Sequence, residues 1–159
     1  MDDFKEIYDT YSQMVYRFLL AMTGDVYAAE ELLQETFYQA FLHIGKFEGR
    51  CSVYTWLCQI GKNAWYKECQ RNKRQIYTEK YEELENEHSL EEDIIRREEC
   101  QNVRKAIFKL KQPYQDVLAM HIFGEVPLKE IANHFGKTES WAYVTYYRAK
   151  NMIRMEVEE

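Results

Sequence analysis

Three observations predict an all-α protein with two small helical domains, an N-terminal helical bundle and a C-terminal helix-turn-helix domain, joined by an acidic linker. The chain of 159 residues holds only 6 Gly and 2 Pro, so it has few places to reverse direction. Apolar residues recur at three- and four-residue spacing over long runs toward both ends. Between those runs lies a stretch dominated by Glu. The division that follows is residues 1–74, 75–100 and 101–159.

The first helix is predicted from Phe4, Ile7, Tyr8, Tyr11, Met14, Val15, Phe18, Leu19 and Met22, which trace one apolar stripe. Thr23-Gly24-Asp25 ends it: Gly24 suits a left-handed residue after a helix, and Asp25 can cap the next. A second helix over about 26–44 turns Ala29, Leu33, Phe37, Ala40, Phe41 and Ile44 inward, leaving Glu30, Glu31, Gln34, Glu35 and Tyr38 outside. After a loop between Gly45 and Gly49, Ser52 can cap a third helix carrying Val53, Trp56, Leu57, Ile60 and Ala64 on one side. Tyr54, Lys62, Asn63, Tyr66, Lys67, Arg71 and Arg74 then fall on its other faces. From Gln75 to Ser89 acids dominate and apolar periodicity fades, which reads as a flexible linker, although a solvated helix fits its second half as well. Helix resumes near Leu90 and carries Val103, Ile107 and Leu110. The last fifty residues are short helices: 113–122 with Val117, Leu118 and Ile122, stopped by Gly124; 128–135 with Ile131, Ala132 and Phe135; a Gly136-Lys137 turn; and a final helix capped by Thr138 and running to about Arg154. That succession is a helix-turn-helix pattern, which any helical hairpin can imitate.

Composition excludes several classes. No segment approaches the roughly 20 apolar residues of a membrane span, and the acidic, amphipathic start fits neither a signal nor a transit peptide. A cytoplasmic protein without stable membrane insertion is expected. Cys51, Cys58, Cys69 and Cys100 form no CxxC pair and the four histidines are scattered, so reduced thiols are expected rather than a metal site or any cofactor. His43, His88, His121 and His134 have no recognisable nucleophilic companions, so an enzyme is not expected.

Charge is unevenly spread. The chain carries a net −6, yet residues 46–74 hold seven Lys/Arg against two Glu. The same stretch holds Phe47, Tyr54, Trp56, Trp65 and Tyr66. Cations neutralise phosphate and exposed rings stack on unpaired bases, so the combination suits single-stranded nucleic acid. Composition alone allows a core helix with a solvated basic rim equally well. A globally acidic chain with basic islands binds free DNA weakly and needs a partner to deliver it.

Three segments in register resemble the bacterial RNA polymerase sigma factors of the extracytoplasmic-function (ECF) group. They are Thr23-Gly24-Asp25 with AAEELLQETFYQAF at 28–41, KFEGRCSVYTWLCQIGKN at 46–63, and LKQPYQDVLAMHIFGEVPLKEIANHFGKT at 110–138. The resemblance covers about residues 4–74 and 104–154. It implies that Glu30, Glu31, Gln34 and Glu35 dock on core RNA polymerase. It implies that Phe47, Arg50, Ser52, Lys62, Asn63, Tyr66, Lys67 and Arg71 open and hold the minus-ten element of promoter DNA, and that the linker threads the channel that later holds RNA. Thr138, Glu139, Ser140, Trp141, Tyr143, Tyr147 and Arg148 would face the major groove of the minus-thirty-five element. It further implies an anti-sigma factor as a partner. The chain departs from the family's pattern at Tyr143 and Thr145, where Lys and Arg are usual, at Trp141, which replaces a small residue, and at Pro127, which replaces a capping Ser. The function expected is promoter recognition and DNA melting in transcription initiation; the alternative is a freestanding helix-turn-helix regulator that does not need polymerase.

Overall fold

Seven α-helices and one 3-10 turn make up residues 2–72 and 90–158, the part of the chain that the computed structural model describes, and no strand occurs among the described residues. The helices are α1 (Asp2–Thr23), α2 (Val26–His43), α3 (Val53–Arg71), α4 (Leu90–Lys109), α5 (Tyr114–Gly124), α6 (Leu128–Phe135) and α7 (Glu139–Glu158), with the 3-10 turn at Ile44–Lys46.

Local chemistry sets most boundaries. Gly24 sits at φ +71°, where a side chain would be strained, and the Asp25 carboxylate accepts from the Tyr27 and Ala28 amides to start α2. The Ser52 hydroxyl accepts from the Thr55 amide at 3.1 Å to start α3. Gly136, at φ +66°, closes α6, and the Thr138 hydroxyl accepts from the Trp141 amide at 3.1 Å to start α7. The left-handed residue after α5 is Glu125 rather than Gly124, which remains the helix's last residue. Residues 90–100, placed in the linker by the sequence division, belong to α4, while 75–89 lie outside the described residues.

α1, α2 and α3 form the N-terminal bundle around Val15, Phe18, Leu19, Met22, Ala29, Leu32, Phe37, Ala40, Leu57 and Trp65. Two expectations need correction. Phe41 stays 43% exposed on α2, and Leu32 and Thr36 take the inward positions instead. Tyr8, Met14 and Ile122 are likewise largely exposed despite their helical spacing. A spacing pattern marks a wide stripe, and its edges remain wet where no neighbouring helix arrives.

The two halves also pack against each other. Val117 and Met120 of α5, Leu128, Ile131 and Ala132 of α6, and Ala142 of α7 join the same apolar cluster as the N-terminal bundle. The other side of α5, Leu118 and Ala119, meets Ile107 of α4 and Ala149 of α7. α5 is thus buried on both sides, unlike any amphipathic surface helix.

Polar bonds cross the same junction. The Lys62 ammonium, 0% exposed, donates to the Asp116 carboxylate, which also accepts from the Gln59 amide at 3.2 Å. The Tyr54 hydroxyl donates to the Gly124 carbonyl at 2.7 Å. Glu130 of α6 accepts from the Ser52 amide at 2.8 Å and from the Thr55 hydroxyl at 3.4 Å. Arg104 of α4 donates to the Ala21 carbonyl at 2.9 Å, placing a cation at the C-terminal end of α1 where the helix dipole favours one.

A buried ion pair repays its desolvation only while both partners remain. Asp116→Ala is expected to cost about 3–5 kcal/mol by stranding the Lys62 ammonium in an apolar junction. The double variant Lys62→Met/Asp116→Leu should recover most of that loss. Urea unfolding followed by far-UV dichroism measures both, and a double variant no more stable than Asp116→Ala would assign the loss to something other than stranded charge.

Candidate nucleic-acid interface

The basic-aromatic tract comprises the loop before α3 and α3 itself, and tertiary packing divides it. Phe47 tilts against Trp56, with ring centroids 5.1 Å apart, so two large rings line the loop's mouth. Lys46, Phe47, Glu48, Arg50, Cys51, Trp56 and His134 surround a small depression of about 210 Å³ there. Arg50 is exposed, paired with Glu48 at 2.7 Å. On α3, Asn63, Lys67 and Arg71 are exposed, and Asn63 accepts from Gln59 at 3.0 Å. These residues present an amphipathic basic surface suited to backbone phosphate and unstacked bases.

Lys62 departs from the sequence expectation. Helical spacing assigns it to a solvent-facing side, but α5 lies against that side and encloses it completely. Its ammonium also lies 5.3 Å from the centroid of the half-buried Tyr66 ring. The signal that could have revealed this was Asp116, an acid directly before the apolar run Val117-Leu118-Ala119-Met120.

The acidic face of α2 behaves as expected from spacing: Glu30, Glu31, Gln34, Glu35 and Tyr38 are all exposed. Glu31 and Glu35 also line a cavity of about 710 Å³ between α2 and α3, together with Lys67, Glu68 and Arg71.

On α7, Glu139, Ser140, Tyr143, Tyr147 and Arg148 are exposed. Tyr143 and Tyr147 stack one turn apart, with centroids 6.3 Å apart and planes 21° from parallel. Trp141, expected among the exposed residues, instead packs on Phe135 at 5.7 Å and joins the core periphery. Thr145, the second position where the family usually carries a base, is 5% exposed and points into the core, whereas Tyr143 is 47% exposed. The exposed face of α7 is therefore aromatic and hydroxylic, with Arg148 as a cation within it.

The cysteines are unpaired. Burial pushes the Cys58 thiol up to about 12, against the lowering effect of the Tyr54 hydroxyl beside it. Burial and the nearby Glu68 carboxylate push Cys69 up to about 12. Burial and the neighbouring Glu130 carboxylate push Cys51 to about 11. Burial, followed by the adjacent Cys58, raises the Tyr54 hydroxyl well above the tyrosine range. His134, 3.8 Å from the Cys51 sulfur, is held below the ordinary histidine range by burial, with Asp116 pulling the other way.

Comparison with known proteins defines the class first. Residues 7–75 match the model of Sigma-70 region 2. RNA polymerase sigma factor YlaC of Bacillus subtilis (strain 168) is 29% identical over 167 residues, spanning 99% of this chain and 96% of that protein. ECF RNA polymerase sigma factor SigM of the same organism is 29% identical over 154 residues, spanning 94% of this chain and 91% of that one. The fold is also that of sigma factor RpoE in complex with the anti-sigma factor NepR from Bartonella quintana, at TM-score 0.61 and 18% identity, covering 99% of this chain and 98% of that one. CnrH in complex with the cytosolic domain of CnrY gives TM-score 0.57 at 15% identity, covering 98% and 87%. Over nearly its whole length the chain is thus similar to RNA polymerase sigma factors, ECF members among them, and its N-terminal half matches Sigma-70 region 2.

Thiol chemistry offers a direct check on the packing, because the thiolate is the attacking species. At pH 7.5, Cys100 is expected to alkylate rapidly, Cys51 slowly, and Cys58 and Cys69 only on denaturation. Peptide mapping after timed iodoacetamide treatment reads the order; rapid modification of Cys69 would contradict its burial on the inner side of α3.

Proposed function

We propose that this sigma factor binds core RNA polymerase through the exposed face of α2 and carries it to promoters read by two separate surfaces. Residues 1–74 recognise and melt the minus-ten element, and residues 101–159 recognise the minus-thirty-five element. The observation that carries this reading is the coexistence, within the segment matching Sigma-70 region 2, of an exposed acidic face and a basic-aromatic tract. The acidic face of Glu30, Glu31, Gln34 and Glu35 suits a basic helical partner on the polymerase.

Melting needs a surface that prefers unstacked bases to duplex. Flipping a base costs a few kcal/mol, which ring stacking and phosphate contacts must return. Phe47 with Trp56 offers the rings, and Arg50, Ser52, Asn63, Tyr66, Lys67 and Arg71 offer cations and hydrogen bonds. Lys62, expected in this set from the sequence, is instead enclosed by α5 and paired with Asp116. In the upstream element, Thr138, Glu139, Ser140, Tyr143, Tyr147 and Arg148 face the groove, and Trp141 supports the helix from behind. With few guanidinium groups, readout there relies on hydroxyl contacts and on ring contact with thymine methyl groups.

The chain's own −6 charge suits delivery by a partner better than autonomous DNA binding. Nucleotidyl transfer then belongs to the polymerase, and the protein acts in the cytoplasm without catalysing a reaction. The complexes of RpoE with NepR and of CnrH with CnrY support an anti-sigma factor as a further partner.

The first experiment selects binders from a promoter-length DNA library with the protein alone and then with core polymerase. A two-element site chosen only when polymerase is present is the expected outcome; tight specific binding by the protein alone would make it a freestanding regulator. Gln34→Ala/Glu35→Lys should abolish polymerase binding with far-UV dichroism unchanged. Arg71→Ala should weaken open-complex formation while polymerase binding holds. Tyr143→Ala should change base preference in the upstream element alone, as read by the same selection.

A further inference from the structure

The exposed side of α7 is apolar where a solvated helix face is ordinarily polar. Two rows of side chains run along it at four-residue spacing: Tyr143 and Tyr147 on one, and Ser140, Val144 and Arg148 on the next. Tyr143 is 47% exposed, Val144 48% and Tyr147 55%, and none of the three joins either apolar cluster. The tyrosine rings stack on each other with centroids 6.3 Å apart, so they hold a flat surface in place before any partner arrives. Val144 beside them has no hydrogen-bonding side-chain atom, and what it contacts must be apolar.

The charge around this patch selects its occupant. Residues 129–154 hold five Lys/Arg against two Glu, and Lys137, Arg148, Lys150 and Arg154 are all exposed. A second copy of the chain would bring like charge to the same place, whereas DNA brings phosphates. The α6–turn–α7 unit presents this side to a major groove under the function proposed above, on which the inference rests. On the base edges of that groove the apolar group is the 5-methyl of thymine. Glu139 to Tyr147 includes no Lys or Arg, so the first two turns of α7 have no bidentate partner for guanine.

We infer that Tyr143, Val144 and Tyr147 form a methyl-reading patch, which sets the specificity of the upstream element by covering thymine 5-methyl groups. Base pairs rise about 3.4 Å apiece, so rings 6.3 Å apart reach methyls within three consecutive pairs. Shielding one methyl from water contributes about fourfold in affinity, from the free energy of burying one carbon. Cytosine carrying a 5-methyl presents the same group at the same place, so it is preferred there over plain cytosine.

The test removes the methyl and nothing else. Core polymerase loaded with the full chain is titrated with the upstream element obtained by the selection above, carrying deoxyuridine for thymidine at one position at a time on either strand. Two or more positions within three consecutive pairs are expected to lose about three- to fivefold each. At those positions 5-methylcytosine should bind more tightly than cytosine. Tyr143→Phe and Tyr147→Phe keep the ring and should keep the deoxyuridine penalty. Tyr143→Ala, Val144→Ala and Tyr147→Ala should each erase it at one position.

Deoxyuridine equal to thymidine at every upstream position would overturn the inference, as would a selected upstream element with no thymine on either strand, or no upstream selectivity at all. A penalty that persists in all three alanine variants would also overturn it, because the methyls would then be read elsewhere. Loss of binding in the phenylalanine variants would replace it with readout by the hydroxyls. Weakened polymerase binding by the alanine variants without DNA would make this a protein-docking face instead. Failure of the sigma reading shows separately: the protein alone would then select its site, and the same deoxyuridine scan on that site would still decide whether methyls are read.

Discussion

α3 is covered on two sides, and the rest of the structure follows from that constraint. Leu57 and Trp65 settle into the bundle with α1 and α2, as any amphipathic helix would arrange. The opposite side carries Tyr54, Cys58, Gln59 and Lys62, too polar to be buried without partners. α5 supplies those partners one by one: the Gly124 carbonyl to Tyr54, and the Asp116 carboxylate shared by Gln59 and Lys62. A lysine is tolerated at zero exposure only because Asp116 answers it. Asp116 in turn can sit inside an apolar helix only because Lys62 is there.

The same arithmetic explains why α5 is unlike its neighbours. It is short, apolar apart from Gln115, Asp116 and His121, and packed between α1 and α3 on one side and α4 and α7 on the other. A helix in that position touches both α3 and the rest of the C-terminal half. The helix-turn-helix made by α6 and α7 is thereby joined mechanically to the basic-aromatic tract, although the two surfaces are distant in sequence. The exposed faces of α2 and α7 lie outside this joint.

The exposed face of α7 is shaped by a similar division of labour. Thr145 turns into the core and Trp141 packs on Phe135, so neither residue type describes the exposed chemistry. What remains outside is the stacked Tyr143–Tyr147 pair with Ser140, Glu139 and Arg148 beside it. An aromatic, sparsely charged face reads methyl groups and hydroxyl-accessible edges better than guanine.

Much was legible in the sequence because it depends on near neighbours. Helical spacing, the Asp25, Ser52 and Thr138 caps, the left-handed glycines at 24 and 136, and the exposed acidic face of α2 are local consequences of residue type and period. Three segments in register also carried the family resemblance, since the motif order survives in one dimension. Exposure along α3 and α7 was decided only by tertiary structure. Periodicity says which residues share a side, and it cannot say how many sides will be covered. Lys62 and Trp141 were misjudged for that reason: each lies on a helix face whose fate depends on a segment tens of residues away or on a neighbouring helix. A charged residue is buried when its counter-charge arrives from elsewhere in the chain, and that pairing is a property of the fold.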